Sequence, residues 1–110
     1  MSATPNQVQI SGQIQLADLD ALKAAGIGTV INNRPDGEAP DQPSSEEVEA
    51  KAVELGMKYF YVPVSPRGLT EDNLDKMAEA LEASEGEVFA YCRTGNRTGV
   101  LLTAVSQSTG

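Results

Sequence analysis

Residues 87–107 read EVFAYCRTGNRTGVLLTAVSQ, and the change of pattern inside this stretch decides the fold. EVFAY (87–91) is β-branched and aromatic, the composition of a strand. RTGVLLTAVSQ (97–107) reads as a largely buried final helix. Only a short loop containing Gly95 separates them, so strand, loop and helix follow in immediate succession. That is one half of a parallel β-α-β unit.

The same alternation extends back to the start of the chain. NQVQISGQIQ (6–15) alternates Val8, Ile10 and Ile14 with polar residues, a weaker strand signal. LADLDALKAAGIG (16–28) follows as a helix, with Asp18 as its N-cap and Gly26 where it should stop. GTVIN (28–32) is a brief buried strand, and NRPDGEAPDQPSS (33–45) a long loop with Pro35 and Gly37 placed for a turn. Ser44 and Glu47 form a capping box before a helix whose Val48, Ala52 and Leu55 share one face. MKYFYVPV (57–64) is a strand that Pro63 ends or pushes toward an edge. The third helix begins at Thr70, with Leu74, Met77, Ala78 and Leu81 as its apolar stripe. The order β-α-β-α-β-α-β-α implies an α/β fold, a mainly parallel sheet flanked by helices.

Composition limits what such a fold can do. The 110 residues form one domain, 1–110, with 40% hydrophobic and 22% charged residues. Net charge is −8, from 16 acidic against 8 basic side chains, which argues against nucleic acid and anionic membranes as partners. The N-terminus MSATPNQVQISG lacks a charged region followed by an apolar one, so the expected location is cytoplasmic. There is no histidine and one cysteine. Ser-His-Asp and Cys-His catalysis are excluded within the chain, as are the usual zinc site and an internal disulfide. No metal or cofactor is expected.

The lone cysteine, Cys92, stands where a parallel strand delivers residues to a ligand, at its carboxyl end. In YCRTGNRTG the loop Arg93 to Asn96 points successive backbone N–H groups inward as an anion-binding nest. Gly95 supplies the positive φ such a loop needs, and Arg97, opening the helix, a planar cationic fork. A thiol at a helix N-terminus beside two guanidiniums is expected to ionise at about 4–7, against roughly 8.5 when free. No histidine is required to make it a nucleophile.

CRTGNRT (92–98) resembles the active-site loop of rhodanese-like sulfurtransferases, Cys-x4-Arg followed by Ser or Thr. Together with NNRPDGE (32–38) and VPVSP (62–66), it makes the chain resemble the phosphatase-like domain of beta-lactamase-hydrolase-like proteins. That resemblance implies the fold of cysteine-dependent dual-specificity phosphatases. It makes Cys92 the nucleophile, Arg97 the oxyanion-binding arginine and Arg93, Thr94, Gly95 and Asn96 the cradle. Thr98 becomes the hydroxyl that hydrogen-bonds the thiolate, and Arg34, Asp36 and Arg67 lie at the site mouth.

Phosphatases of that fold place five residues between Cys and Arg; here there are four, a loop shorter by about 3.3–3.6 Å of contour. Ser65 and Pro66 stand where their general-acid Asp is expected. Sulfur transfer through a Cys92 persulfide is therefore the expected activity. It would use a small anionic donor such as thiosulfate, a polysulfide or glutathione persulfide, and a thiol, sulfite or cyanide acceptor. A persulfide dioxygenase-type protein is a candidate partner, which the sequence leaves open. Phosphate monoester hydrolysis through a phosphocysteine is the alternative, and a non-catalytic oxyanion-binding or redox-sensing module a third.

Overall fold

The computed structural model describes residues 7–109. The strands are β1 (Val8–Ser11), β2 (Ile27–Asn32), β3 (Lys58–Tyr61) and β4 (Glu87–Tyr91). They alternate with helices α1 (Asp18–Ala24), α2 (Ser45–Glu54), α3 (Glu71–Ala83) and α4 (Asn96–Thr109). All strand pairings are parallel, in the order β1-β4-β2-β3. The central pair, β4 and β2, is buried on both faces: Val88, Ala90 and Ile31 pack toward α3 and α4, whereas Phe89, Tyr91 and Val30 pack toward α1 and α2. The alternating order thus gives the parallel sheet with helices on both sides that the sequence implied.

Local chemistry sets most helix boundaries. The Ser44–Glu47 capping box opens α2, and Thr70 caps α3 in a reciprocal pair with Asn73. Asp18 is not the N-cap of α1: Ala17 occupies that position, and Asp18 Oδ2 accepts from the Gln15 N–H at 2.8 Å. β3 stops at Tyr61, two residues before Pro63. The last helix is only half-buried. Thr98, Leu101, Leu102 and Val105 face the core, while Val100 is 51% exposed. The sequence suggested a largely buried helix, but α4 packs mainly against α3 and the edge strand β1 and leaves its other side exposed.

One glycine in the sheet is dictated by contact. A Cβ on Gly28 would lie 2.4 Å from the Glu85 carbonyl oxygen, where the register of β2 against β4 shifts. Thr29 locks that approach, its hydroxyl donating to the Glu85 carbonyl (2.8 Å) and accepting from the Glu85 N–H (2.9 Å). The Gly28→Ala variant is expected to lose about 2–3 kcal/mol through backbone overpacking. Calorimetry should then show a thermal midpoint lower by roughly 10–20 °C.

Candidate active site

Backbone hydrogen bonds continue past the strand ends and draw four segments together. Cys92 N–H donates to the Ser11 carbonyl, Gln13 N–H to Arg93, Asn33 N–H to Tyr91, and Val64 N–H to Asn33. The segments after β1, β4, β2 and β3 are thus tied side by side at the carboxyl edge of the sheet. α4 starts there, four residues after Cys92.

The loop folds around the sulfur itself. Gly95 adopts φ +92°, and its N–H reaches Cys92 Sγ at 3.1 Å. Cys92 has no exposed surface. Burial pushes its thiol up, but the Thr98 N–H and hydroxyl, with the N–H groups of Thr94 and Gly95, outweigh burial and hold it below the free-thiol range. The sequence pointed to loop amides, the helix N-terminus and the two arginines together; hydrogen bonds from the loop amides and from Thr98 are what hold the thiol down here. Arg93 is exposed, and Arg97 is turned toward a carboxylate. Alkylation of Cys92 by iodoacetamide is expected to rise with pH and level off, its midpoint below the roughly 8.5 of a free thiol. A midpoint at or above that value would mean that burial wins.

The carboxylate is Glu38, which sequence reasoning did not single out. Arg97 Nη1 donates to Glu38 Oε2 (2.9 Å) and to the Val64 carbonyl (2.9 Å), and Arg97 Nη2 donates to Glu38 Oε1 (2.8 Å). Those bonds take three of the five guanidinium N–H groups. The other two, Nε–H and the outer Nη2–H, have no partner among the described residues. Together they form the side-on fork that matches two oxygens of an oxyanion.

Arg34 braces the same carboxylate, Nε to Oε1 at 3.0 Å, and also donates through Nη1 to Gln13 Oε1 at 3.0 Å. Arg97 first, and Arg34 against some burial, hold the Glu38 carboxyl below the usual carboxylate range. The same bridge raises the Arg97 guanidinium above its ordinary value.

A cavity of about 370 Å³ opens here, lined by Arg34, Glu38, Ala39, Pro66, Arg93 and Arg97. Its charged lining is three guanidiniums against one carboxylate, in a chain of net charge −8. Two residues expected at the mouth are not in this lining. Asp36 is exposed and caps α2 from outside, its Oδ1 accepting from the Ser45 N–H at 2.8 Å. Arg67 is exposed, and its N–H closes a turn on the Ser65 hydroxyl at 3.1 Å; Pro66 reaches the cavity in its place. The Thr98 hydroxyl donates to Asn33 Oδ1 at 2.9 Å. Among the described residues no cluster of three or more His, Cys, Asp or Glu could hold a metal ion, and no helix is long and apolar enough to cross a membrane.

With this geometry in place, comparison with known proteins is direct. Residues 2–110 match the family profile of the phosphatase-like domain of beta-lactamase hydrolase-like proteins. The beta-lactamase hydrolase-like protein of Agrobacterium fabrum is 38% identical over 91 residues, covering 83% of this chain and 21% of that protein. That of Xylella fastidiosa is 34% identical over 101 residues, 92% of this chain and 23% of that protein. The chain thus spans between a fifth and a quarter of the length of these curated relatives. The crystal structure of a candidate phosphatase from Neisseria meningitidis is similar, with TM-score 0.77 and 32% identity over 86% of this chain and 68% of that one. A second candidate phosphatase, from Shewanella putrefaciens, shares the fold, with TM-score 0.78 and 23% identity over 100% of this chain and 68% of that one.

Proposed function

The chain belongs to the phosphatase-like domain family of beta-lactamase hydrolase-like proteins, and from that premise and the loop geometry we propose that it is a cysteine-dependent group-transfer enzyme whose transferred group is sulfane sulfur. The observation that carries this reading is that, among the described residues, the cavity lining offers no carboxyl able to give up a proton. Among the described residues the one carboxyl lining the cavity is Glu38, and two guanidiniums keep it ionised. Asp36, the nearest other acid in sequence, is committed to the start of α2. An alkoxide leaving from phosphate needs a proton, whereas sulfite or a thiolate leaves without one at neutral pH.

The steps follow from the donors present. Cys92 thiolate attacks the outer sulfur of thiosulfate, the sulfur–sulfur bond breaks, and sulfite departs with the electron pair. An acceptor thiolate, sulfite or cyanide then attacks the terminal sulfur of the Cys92 persulfide, returning the electron pair to Cys92. The free edge of Arg97 suits the oxyanion end of the donor and of the leaving sulfite. Because Cys92 is fully buried, the loop must open for the donor to reach Sγ. In this reading a persulfide dioxygenase-type protein would consume the sulfur carried by the acceptor.

Phosphate monoester hydrolysis is the second reading. The family and its solved neighbours support it by name, and the side-on fork of Arg97 would accept two phosphate oxygens equally well. Without an acid, it would be confined to aryl esters with good leaving groups. The two readings separate when thiosulfate-to-cyanide transfer and p-nitrophenyl phosphate hydrolysis are measured on the same preparation. Transfer that depends on Cys92, with aryl phosphate turnover near background, is the expected outcome. Cys92-dependent aryl phosphate turnover without sulfur transfer would assign the domain to phosphate.

A further inference from the structure

The Thr98 hydroxyl has one proton to give and two acceptors within reach. One is Asn33 Oδ1, at 2.9 Å. The other is the Cys92 sulfur, where the Gly95 N–H already lies at 3.1 Å and whose thiolate the Thr98 hydroxyl and backbone N–H favour. Asn33 cannot turn its oxygen elsewhere, because its Nδ2 donates to the Val62 carbonyl at 2.9 Å, and that group only accepts. Cys92, Asn33 and Thr98 are each 0% exposed, so neither acceptor faces open solvent in this structure.

We infer that Asn33 is a positioning residue: its Oδ1 holds the Thr98 hydroxyl proton while the Cys92 sulfur is uncharged, and releases it to the sulfur when the thiolate forms. An amide oxygen is a better acceptor than neutral sulfur, and thiolate is a better one than either. The donor therefore follows the charge. In the covalent intermediate Sγ carries no charge, and the hydroxyl rests on Asn33. As the second step returns an electron pair to Sγ, the hydroxyl swings to it, giving stabilisation only where charge develops. The inference rests on Cys92 being the nucleophile and holds whichever group it carries.

The thiol's charged surroundings do not change in the test variants. Arg97, on α4, is the guanidinium that senses the thiolate, with Glu38 and Arg34 behind it on the β2–α2 loop and Arg93 beside it on the loop after β4. The segment after β3 and helix α3 contribute the Val62 carbonyl and the Met77 sulfur against Asn33, neither of them charged.

The experiment is the pH midpoint of Cys92 alkylation in wild type, Thr98→Val, Asn33→Leu and the double variant. Thr98→Val is expected to raise the midpoint by about one unit, the worth of one hydrogen bond to a charged group. Asn33→Leu, which removes the competing acceptor, is expected to lower it by roughly half a unit to one unit. In the Thr98→Val background, Asn33→Leu should change nothing further. An equal shift in both backgrounds, or none in wild type, overturns the inference. Should Asn33→Leu fail to fold, the ¹³C resonance of the Asn33 side-chain carbonyl decides. It should titrate with the thiol in wild type and stay flat in Thr98→Val; a flat response in wild type overturns the inference. Retained transfer in Cys92→Ser would instead sink the nucleophile assignment itself, however these midpoints move.

Discussion

Replacing Cys92 by serine is expected to lower kcat/KM for thiosulfate-to-cyanide transfer by at least about 10³-fold, the scale on which loss of a nucleophile acts. Loop N–H groups and Thr98 hold the thiol below the free-thiol range, whereas a serine hydroxyl is far too weak an acid for them to ionise. A serine oxygen would also form no persulfide. The change in size is small and the site is tied by backbone bonds, so the fold should survive. Circular dichroism and the thermal midpoint would confirm that. Transfer retained within tenfold of wild type would mean that the chemistry lies elsewhere.

Arg97→Lys is the second large effect, at roughly 10²–10³-fold in kcat/KM with thiosulfate, the cost of losing one oriented oxyanion donor set. Lysine keeps the charge but has no planar fork. It cannot hold Glu38 and the Val64 carbonyl while also offering two parallel N–H groups to a donor. The loss should be smaller for an uncharged sulfane donor such as an organic trisulfide, since no oxyanion then faces the empty edge. Equal losses for charged and uncharged donors would make Arg97 a structural brace, with Glu38 as its purpose. A shift confined to the thiosulfate KM would mean that Arg97 binds donor and transition state alike.

Local signals in the sequence translate into structure where the interaction is itself local. The Ser44–Glu47 capping box, the strand over 87–91 and the glycine needed at 95 are each set by neighbours within a few residues, and each appears as expected. Cys92 and Arg97 are adjacent for the same reason, being two ends of one loop. The partner of Arg97 was not legible. Glu38 is 59 residues away, and only the parallel register of β2 and β4 brings it across. Asn33 was hidden similarly: Asn-Arg-Pro-Asp-Gly reads as turn chemistry, and nothing local says that the asparagine is fully buried against Thr98.

Of the three mouth residues, Arg34 lines the cavity and Asp36 and Arg67 do not. The Asp36 carboxylate is taken by the start of α2, while the Arg67 side chain is exposed and only its backbone N–H is held, in a turn on Ser65. The apolar sequence of α4 misled because composition does not report how many neighbours a helix has. Burial of Cys92 was legible as a tendency of cysteine, but its coexistence with a lowered thiol pKa depends on loop N–H groups and Thr98, which only the fold brings together.

The most direct test is intact-protein mass spectrometry after brief exposure of the reduced protein to thiosulfate. The account predicts a mass gain of one sulfur atom, mapped to Cys92, absent in Cys92→Ser and removed by cyanide with release of thiocyanate. No sulfur adduct on Cys92, together with Cys92-dependent release of phosphate from an aryl phosphate, would contradict it.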